Sequence, residues 1–235
     1  MEIEVIYKDK NYLVLNKPAG ALVHPTSKKE AGTLASWLLE NYPETGKVGD
    51  DPANRPGIVH RLDRETSGVM IIARNQETFD FLKNIFQKRE AQKTYLALVY
   101  GKVENRTGRI DKPMGIKSGT IRRSVTATKM VKPAVTDYEV VKYVALRQAQ
   151  DNKVVDATLL KVMPRTGRTH QIRVHLAFIG HPVMGDKVYG GKRGVLAGLN
   201  RQFLHAQMIE FTGQSGERVK FEADLPEELE KFLEK

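Results

Sequence analysis

Hydrophobic and polar positions follow two periods along this chain, and the period changes from segment to segment without a repeat. Residues 69–73 are continuously apolar, which is typical of a strand buried on both faces. Shorter alternating runs predict further strands, and apolar residues three and four positions apart predict helices. The predicted strands are 3–7, 12–16, 94–100, 134–144, 154–163 and 204–211. The predicted helices are 33–41, 76–88, about 169–178 and a short acidic one from Glu227.

The order of these elements favours one unit in which helices and strands are mixed. The helix 76–88 places Phe79, Leu82 and Phe86 on one face, with Asn75 as a plausible N-cap. The polar turn around residues 151–152 joins two strands and predicts their antiparallel pairing. No repeat or low-complexity linker divides the chain, so we expect a single domain over residues 1–235, of α+β or mixed α/β class.

Charge changes the picture more than length does. The 235 residues include 38 Lys and Arg against 28 Asp and Glu, a formal charge of +10 that indicates a polyanionic partner, with nucleic acid as the leading candidate.

No apolar run approaches the roughly 20 residues of a membrane span, and the N-terminus is acidic, unlike a signal peptide. We therefore expect an intracellular protein. The absence of cysteine excludes disulfides and thiolate metal sites.

The segment Gly57–Gly68 carries the most informative chemistry. It places Asp63 between Arg61 and Arg64 on a turn that leads into the buried strand. The two guanidiniums would favour the charged form of the Asp63 carboxyl, which suits a nucleophile or a charge stabiliser better than a general acid. An ordinary ion pair that closes a loop is the alternative explanation.

Two other segments carry candidate site residues. Tyr95 lies on a predicted strand, on the opposite face from Tyr100, and could stack on a nucleobase or simply pack in the core. The predicted helix near 169–178 places Ile172, Leu176 and Ile179 on one face, and Arg168 and Arg173 lie near its anion-favouring N-terminal half. A buried arginine there could pair with Asp63, whereas a solvated basic helix is the alternative. The histidines 170 and 175 are five positions apart, so a metal site is not expected.

Basic residues also cluster in two stretches that could follow a phosphate backbone or form a solvated surface. The first contains Lys117, Arg122, Arg123 and Lys129, and the second follows the helix 76–88. The Gly-rich stretch 185–198 has neither the spacing of a P-loop nor that of a dinucleotide fingerprint, so a nucleotide cofactor is not expected.

Three motifs in this order and spacing resemble the RluA-type pseudouridine synthases. They are His60-Arg61-Leu62-Asp63-Arg64-Glu65-Thr66-Ser67-Gly68, Lys93-Thr94-Tyr95 and Gly167-Arg168-Thr169-His170-Gln171-Ile172-Arg173-Val174-His175-Leu176. Residues 12–18, 20–24 with the Lys-Pro-x-Gly turn, 180–186 and Tyr189-Gly190 extend the resemblance over nearly the whole chain.

The resemblance implies a mixed, largely antiparallel sheet with flanking helices around a central cleft, and isomerisation of uridine in RNA to pseudouridine without metal or other cofactor. It implies covalent attack by Asp63, at C1′ or at C6. Tyr95 would stack on the target base and assist removal of the C5 proton, and Arg173, with Arg168 as the second candidate, would pair with Asp63. Arg61 would fill the stack left by a flipped base. The other expected substrate contacts are His60, Arg64, Thr66, Arg122 and Arg123.

The chain has catalytic-type sequence within its first dozen residues, so we expect no S4-type RNA-binding domain before it. RNA recognition would then rest on the catalytic domain, acting as a monomer in the cytoplasm on ribosomal or transfer RNA. Two other functions compete with this one. A non-catalytic RNA-binding or ribosome-assembly protein would not need Asp63 or Tyr95, and a nucleoside or glycoside hydrolase would need a second cooperating carboxylate.

Overall fold

The computed structural model describes residues 1–25, 32–117, 119–120, 122–147, 153–191, 196 and 198–234. The chain forms two compact units, one of residues 1–92 and 206–224 and the other of residues 93–205 and 225–235. The strands are β1 (Glu4–Lys8), β2 (Tyr12–Lys17), β3 (Ser67–Ala73), β4 (Gln92–Tyr100), β5 (Thr107–Asp111), β6 (Met114–Ile116), β7 (Arg123–Ser124), β8 (Lys129–Lys132), β9 (Val135–Arg147), β10 (Val154–Pro164), β11 (Leu204–Thr212) and β12 (Arg218–Glu222). The helices are α1 (Leu34–Asn41), α2 (Gln76–Lys88), α3 (Gln171–Phe178) and α4 (Glu227–Glu230), with a short 3-10 helix at Pro43–Lys47.

In the first unit the strands follow the order β1-β2-β3-β11, and β12 pairs with β11. Every residue of β3 is buried, as its continuous apolar sequence predicts. Gly68 has φ near +121°, and a Cβ atom at this position would overlap the backbone of Ala206. Glycine is therefore required where the two backbones approach each other.

Helix α2 contacts β3 and has the bounds that its apolar spacing predicts. The Asn75 side chain accepts a hydrogen bond from the Thr78 N–H at 2.8 Å, which confirms the predicted N-cap. Phe79 and Leu82 are buried, whereas Phe86 is half-buried. The apolar face of α2 thus covers the first unit's central strand.

In the second unit the strands β4-β10-β9-β5 form antiparallel pairs throughout, and β7-β6-β8 form a separate small antiparallel sheet. This arrangement confirms the mixed, largely antiparallel α+β class and the pairing of the strands on either side of residues 151–152, which themselves lie outside the described residues. Leu176 and Ile172 of α3 pack on one face of the sheet together with Tyr95. Tyr100 packs in a different cluster on the opposite face. The predicted division of the two tyrosines is confirmed.

Some elements differ from the prediction. Helix α3 begins at Gln171 because His170 has a left-handed backbone with φ near 58°. Strands β5 to β8 are short and have no clear period in the sequence. The acidic sequence of the C-terminal segment favours a surface position, but Leu229 of α4 and Phe232 just after it are buried in the second unit's core. No helix within the described ranges has the length and apolar character to cross a membrane.

Candidate active site

The Asp63 side chain is half-buried on a tight turn that enters β3. The Thr66 N–H donates a hydrogen bond to the Asp63 carbonyl at 3.1 Å, which closes a four-residue turn. Thr66 and Ser67 are buried directly behind this turn. The reactive candidate therefore lies at the start of the most buried strand of its unit, where the backbone has little freedom to move.

A buried lysine fixes this turn to the segment after β2. Lys17 is 0% exposed, and its Nζ donates hydrogen bonds to the carbonyls of Pro18 at 2.7 Å, Ala21 at 2.9 Å and Arg64 at 3.1 Å. The Gly20 N–H also donates to the Arg64 carbonyl at 2.9 Å, and the Arg64 Nε donates to the Gly20 carbonyl at 3.0 Å. One ammonium group thus holds the backbone of two loops together. Sequence reasoning included Lys17 in the resemblance but gave it no role.

His60 and Arg61 stabilise the loop before Asp63. The His60 Nε2 accepts a hydrogen bond from the Ile71 N–H at 3.0 Å, and its ring stacks on Phe86 with centroids 4.6 Å apart. The Arg61 Nη1 lies 3.2 Å from the His24 Nε2. Burial lowers the pKa of His24, and the positive charge of Arg61 adds to this effect. His24 therefore accepts from Arg61 in its neutral form, and the contacts of His60 and Arg61 with substrate stay predictions.

Arg173 is held by a carboxylate within the second unit. Its Nε and Nη2 donate to the two oxygens of Asp186 at 2.7 and 2.9 Å, and both side chains are almost completely buried. Burial by itself would raise the pKa of the Asp186 carboxyl, but the hydrogen bonds and charge of Arg173, with the N–H groups of Val188 and Tyr189, outweigh burial and lower the pKa. The resulting pair is bidentate and fixes the plane of the guanidinium. The expected pairing of Arg173 with Asp63 stays a prediction.

The face of the Tyr189 ring contacts the guanidinium of Arg173. The ring centroid lies 5.1 Å from the Arg173 Cζ, within the range of a cation–π interaction. The Tyr189 hydroxyl accepts a hydrogen bond from the Arg123 N–H at 3.2 Å and lies 2.9 Å from the His170 Nδ1. Arg123 belongs to the basic segment that was predicted to bind phosphate. The structure thus brings Arg173 and Arg123 together through a residue that was not selected from the sequence.

The two remaining candidates of the motif segments lie on the same unit. Tyr95 is half-buried at the edge of the cluster under α3. Lys93, two residues earlier on the same face of β4, has its pKa lowered by burial. Arg168 lies ahead of α3, where its Nε donates to the Pro133 carbonyl at 3.1 Å. Arg168 is more accessible than Arg173.

A buried polar network holds the start of α3 against β9. The Gln171 Nε2 donates to the Val135 carbonyl and to the Thr136 hydroxyl, both at 2.9 Å. His175 is fully buried, with Nδ1 2.9 Å from the Thr136 hydroxyl and Nε2 3.0 Å from the Lys112 carbonyl. Burial lowers the pKa of His175 and favours its neutral form, which satisfies both contacts. The motif's polar residues therefore fix the helix that carries Arg173.

The basic residues of the small sheet are exposed or half-exposed. The Arg122 carbonyl accepts from the Lys117 N–H at 2.9 Å, which closes the β6–β7 connection. All four residues of β8, including Lys129 and Lys132, are exposed. These cations are accessible to a phosphate backbone. Within the described part of the chain, no three His, Asp or Glu side chains form a group that could hold a metal ion.

The site candidates thus lie in two groups. His60, Arg61, Asp63, Arg64 and Thr66 share one loop of the first unit, and the others belong to the second unit. The latter are Tyr95, Arg122, Arg123, Arg168 and Arg173. Sequence reasoning missed the parts played by Lys17, Asp186 and Tyr189, although each lies in a segment that carries the resemblance. A lysine at the end of an apolar strand was the one signal for Lys17.

Comparison with known proteins gives consistent results. A family model described as RNA pseudouridylate synthase matches residues 11–178. The chain is 37% identical to an uncharacterized RNA pseudouridine synthase of Bacillus subtilis over all of this chain and 73% of that protein. It is 36% identical to the ribosomal large subunit pseudouridine synthase D of Pseudomonas aeruginosa over 97% of this chain and 70% of that protein.

Two solved human structures are also similar. RNA pseudouridylate synthase domain containing 1 superposes with a TM-score of 0.75 at 28% identity, covering 96% of this chain and 84% of that chain. RNA pseudouridylate synthase domain containing 4 gives a TM-score of 0.73 over 98% of this chain and 91% of that chain, and its 22% identity supports the fold alone.

Proposed function

The chain belongs to the RNA pseudouridylate synthase family, and from this premise we propose that it isomerises uridines in the RNA of the large ribosomal subunit, with Asp63 as its nucleophile. The enzyme class follows from the family. The choice of RNA rests on relatives named as ribosomal large subunit pseudouridine synthases, such as that of Pseudomonas aeruginosa. We propose that the enzyme acts as a monomer. Ribosomal RNA as the substrate would place it in the cytoplasm.

The observation that carries the proposal is the rigid turn around Asp63. A carboxylate nucleophile needs a fixed position relative to C1′ or C6 of the target, because misplacement by an ångström strongly reduces the rate. The Thr66 N–H holds the Asp63 carbonyl, and Lys17 holds the Arg64 carbonyl directly after it. The half-buried side chain keeps access to a substrate while remaining on a fixed backbone.

The proposed reaction is an isomerisation in which atoms balance without a co-reactant. The Asp63 carboxylate forms a covalent bond to C1′ of the ribose or to C6 of the uracil. The N1–C1′ bond breaks, the uracil turns, C5 bonds to C1′, and the carboxylate is released. The C5 proton leaves and N1 takes up a proton. In this proposal Tyr95 stacks on the uracil and assists proton removal from C5, and Arg173 keeps Asp63 ionised.

The target base must be flipped out or single-stranded, because a nucleophile cannot reach C1′ or C6 inside a stacked helix. Arg61 is exposed on the loop that carries Asp63, and we assign it to the stack that the base vacates. His60, Arg64 and Thr66 support this loop. Arg168, the exposed Arg122 and the half-buried Arg123 would hold the phosphates of the surrounding RNA.

The test is pseudouridine formation by the wild-type protein and Asp63→Asn. Each is incubated with ribosomal RNA and, separately, transfer RNA from a strain that lacks the gene, and pseudouridine is mapped by carbodiimide labelling and sequencing. We expect new sites in large-subunit RNA from the wild type alone. Asp63→Asn should bind RNA within about tenfold of the wild type, since most of the positive field is kept.

Asp51→Asn is the matched control, because Asp51 is exposed and its carboxylate accepts from the neighbouring Asn54. Modification of transfer RNA alone would overturn the choice of substrate but not the enzyme class. Release of free uracil would indicate a hydrolase. Equal turnover by Asp63→Asn would remove Asp63 from its role, and no product from any variant would favour the non-catalytic RNA-binding function.

A further inference from the structure

We propose that Tyr189 is a positioning residue that couples RNA binding on the small basic sheet to the orientation of Arg173. The small basic sheet is β7-β6-β8, which includes Arg123 of β7, together with Arg122 directly before it. The inference rests on the proposed function, because it takes Arg173 as a residue of the reaction and the two arginines as phosphate contacts. The inference gives the segment 185–190 a role in catalysis, which the proposed mechanism does not.

The first part of the coupling is the contact between Tyr189 and Arg173. Asp186 holds the guanidinium through two hydrogen bonds, and the guanidinium lies over the Tyr189 ring. The Asp186 Oδ1 also accepts hydrogen bonds from the Val188 N–H at 2.8 Å and the Tyr189 N–H at 3.0 Å. The same carboxylate thus fixes both the guanidinium and the backbone of the tyrosine that covers it. A displacement of Tyr189 would therefore change the position of the Arg173 guanidinium.

The second part is the contact between Tyr189 and the basic sheet. The Arg123 backbone N–H donates to the Tyr189 hydroxyl at 3.2 Å, and this N–H belongs to a strand of two residues. The Tyr189 ring packs against the cluster of Met114, Ala134 and Val174. Met114 is in β6, next to β7, and Val174 is in α3, next to Arg173. The tyrosine therefore contacts both elements that the coupling requires.

The Tyr189 hydroxyl has a further contact that also supports the coupling. It lies 2.9 Å from the Nδ1 of His170, whose left-handed backbone immediately precedes α3. A phenol that served only to fill space would need its ring and not these hydrogen bonds. Here the hydroxyl joins β7 to the first residue before the helix that carries Arg173. Removing the oxygen while keeping the ring separates the two roles.

The experiment is a double-mutant cycle in the full-length protein, with ribosomal RNA from a strain lacking the gene as substrate. Tyr189→Phe keeps the ring over Arg173 and removes the hydroxyl. The combined change Arg122→Gln with Arg123→Gln removes charge from the basic sheet. Single-turnover rates at saturating RNA, dissociation constants and thermal melts are measured for the wild type, each variant and the combination.

Coupling predicts a lower rate without weaker binding in Tyr189→Phe. We expect the saturated rate to fall on the order of tenfold while the dissociation constant stays within about threefold. The arginine changes should weaken binding and reduce the salt dependence of log K by up to about two units of slope. In the protein that carries both arginine changes, Tyr189→Phe should reduce the saturated rate by less than about twofold. The phosphate contacts that Tyr189 would couple to Arg173 are already absent there.

Tyr143→Phe is the matched control. Its hydroxyl donates to the Val103 carbonyl at 2.9 Å in the same unit, so the change removes one tyrosine hydrogen bond that involves neither Arg123 nor His170. Its rate should equal that of the wild type. Multiplicative effects in the cycle, or a Tyr189→Phe protein with a lower melting temperature but an unchanged rate, would overturn the coupling alone. A wild-type protein that forms no pseudouridine would overturn the proposed function together with it.

Discussion

Asp63 and Arg173, one candidate residue from each unit, are placed by opposite means. In the first unit, buried Lys17 binds main-chain carbonyls and so fixes the backbone of the turn that carries Asp63. In the second unit, buried Asp186 binds the side chain of Arg173 directly and fixes the plane of its guanidinium. One anchor determines where a loop lies, and the other determines how a side chain is oriented.

The difference follows from the length of the side chain that must be held. Aspartate has a short side chain, so the position of its carboxylate is largely set once its backbone is fixed. Arginine has a long side chain with many rotamers, and fixing α3 alone would leave the guanidinium mobile. Each anchor is itself a buried charge, which is tolerated because Lys17 is hydrogen-bonded to three carbonyls and Asp186 is paired with Arg173. Losing the anchor should therefore have a different consequence in each unit.

Lys17→Met should have the largest effect. It replaces the ammonium by an apolar group of similar length and leaves carbonyls of Pro18, Ala21 and Arg64 without this donor. Since each buried acceptor that loses its partner costs about 1–3 kcal/mol, we expect the free energy of unfolding to fall by about 3 kcal/mol or more, with loss of activity. Chemical denaturation and the pseudouridine assay measure both.

Lys10→Met is the control for Lys17→Met, because Lys10 is an exposed lysine of the same unit. Its unfolding should match that of the wild type within about 0.5 kcal/mol. If Lys17→Met unfolded at the same denaturant concentration as Lys10→Met, the lysine would not be the anchor of the turn.

Asp186→Asn should have the next largest effect, on both stability and rate. Asparagine keeps the shape but leaves the buried Arg173 without its countercharge, which typically costs about 3 kcal/mol. Because the pKa of Asp186 is lowered in the folded protein, the ion pair stabilises fully above the carboxyl's ordinary pKa. That contribution is lost as pH falls through the folded value. Asp186→Asn should therefore flatten the loss of stability in acid.

Urea denaturation between pH 7 and pH 3 tests this. Asp137→Asn is a useful comparison, because Asp137 also has a lowered pKa but pairs with the exposed Arg109 and Arg165. It should cost well under half as much as Asp186→Asn, since exposed pairs contribute about 1 kcal/mol or less. Equal costs would contradict a special role for burial at Asp186.

The contrast also explains what the sequence could and could not predict. Strand β3, helix α2 and the two faces of β4 follow from hydrophobic period, because burial of apolar groups is repeated along each element. The motif segments identified Asp63, Tyr95 and Arg173 as candidates. Lys17 and Asp186 could not be assigned from period, since a single buried charge depends on contacts that only the fold makes, such as the Arg64 carbonyl for Lys17 and Arg173 for Asp186.

The small basic sheet was missed for a different reason. Its strands are two to four residues long, and β8 is exposed along its whole length. β7 and β8 have no buried residue and β6 has only three residues, so none of the three strands has an alternation long enough for a sequence pattern to reveal. Their cations were recognised from composition. The contact between this sheet and Tyr189, which lies against Arg173, is a hydrogen bond to the tyrosine hydroxyl. No sequence pattern predicts such a bond.

Arg168→Gln should have the smallest effect, and it sharpens the comparison by separating the two arginines near α3. Arg168 is half-exposed and its Nε donates to the Pro133 carbonyl, whereas Arg173 is buried on Asp186. An arginine that binds phosphate should change affinity, and one that orients a reacting group should change the rate. We expect Arg168→Gln to weaken RNA binding by about threefold to tenfold, with a saturated rate within about threefold of the wild type. Arg173→Gln, measured beside it, should lose about a hundredfold or more in rate. The reverse order would make Arg168 the partner of Asp63, and Asp186 would then be holding a structural arginine.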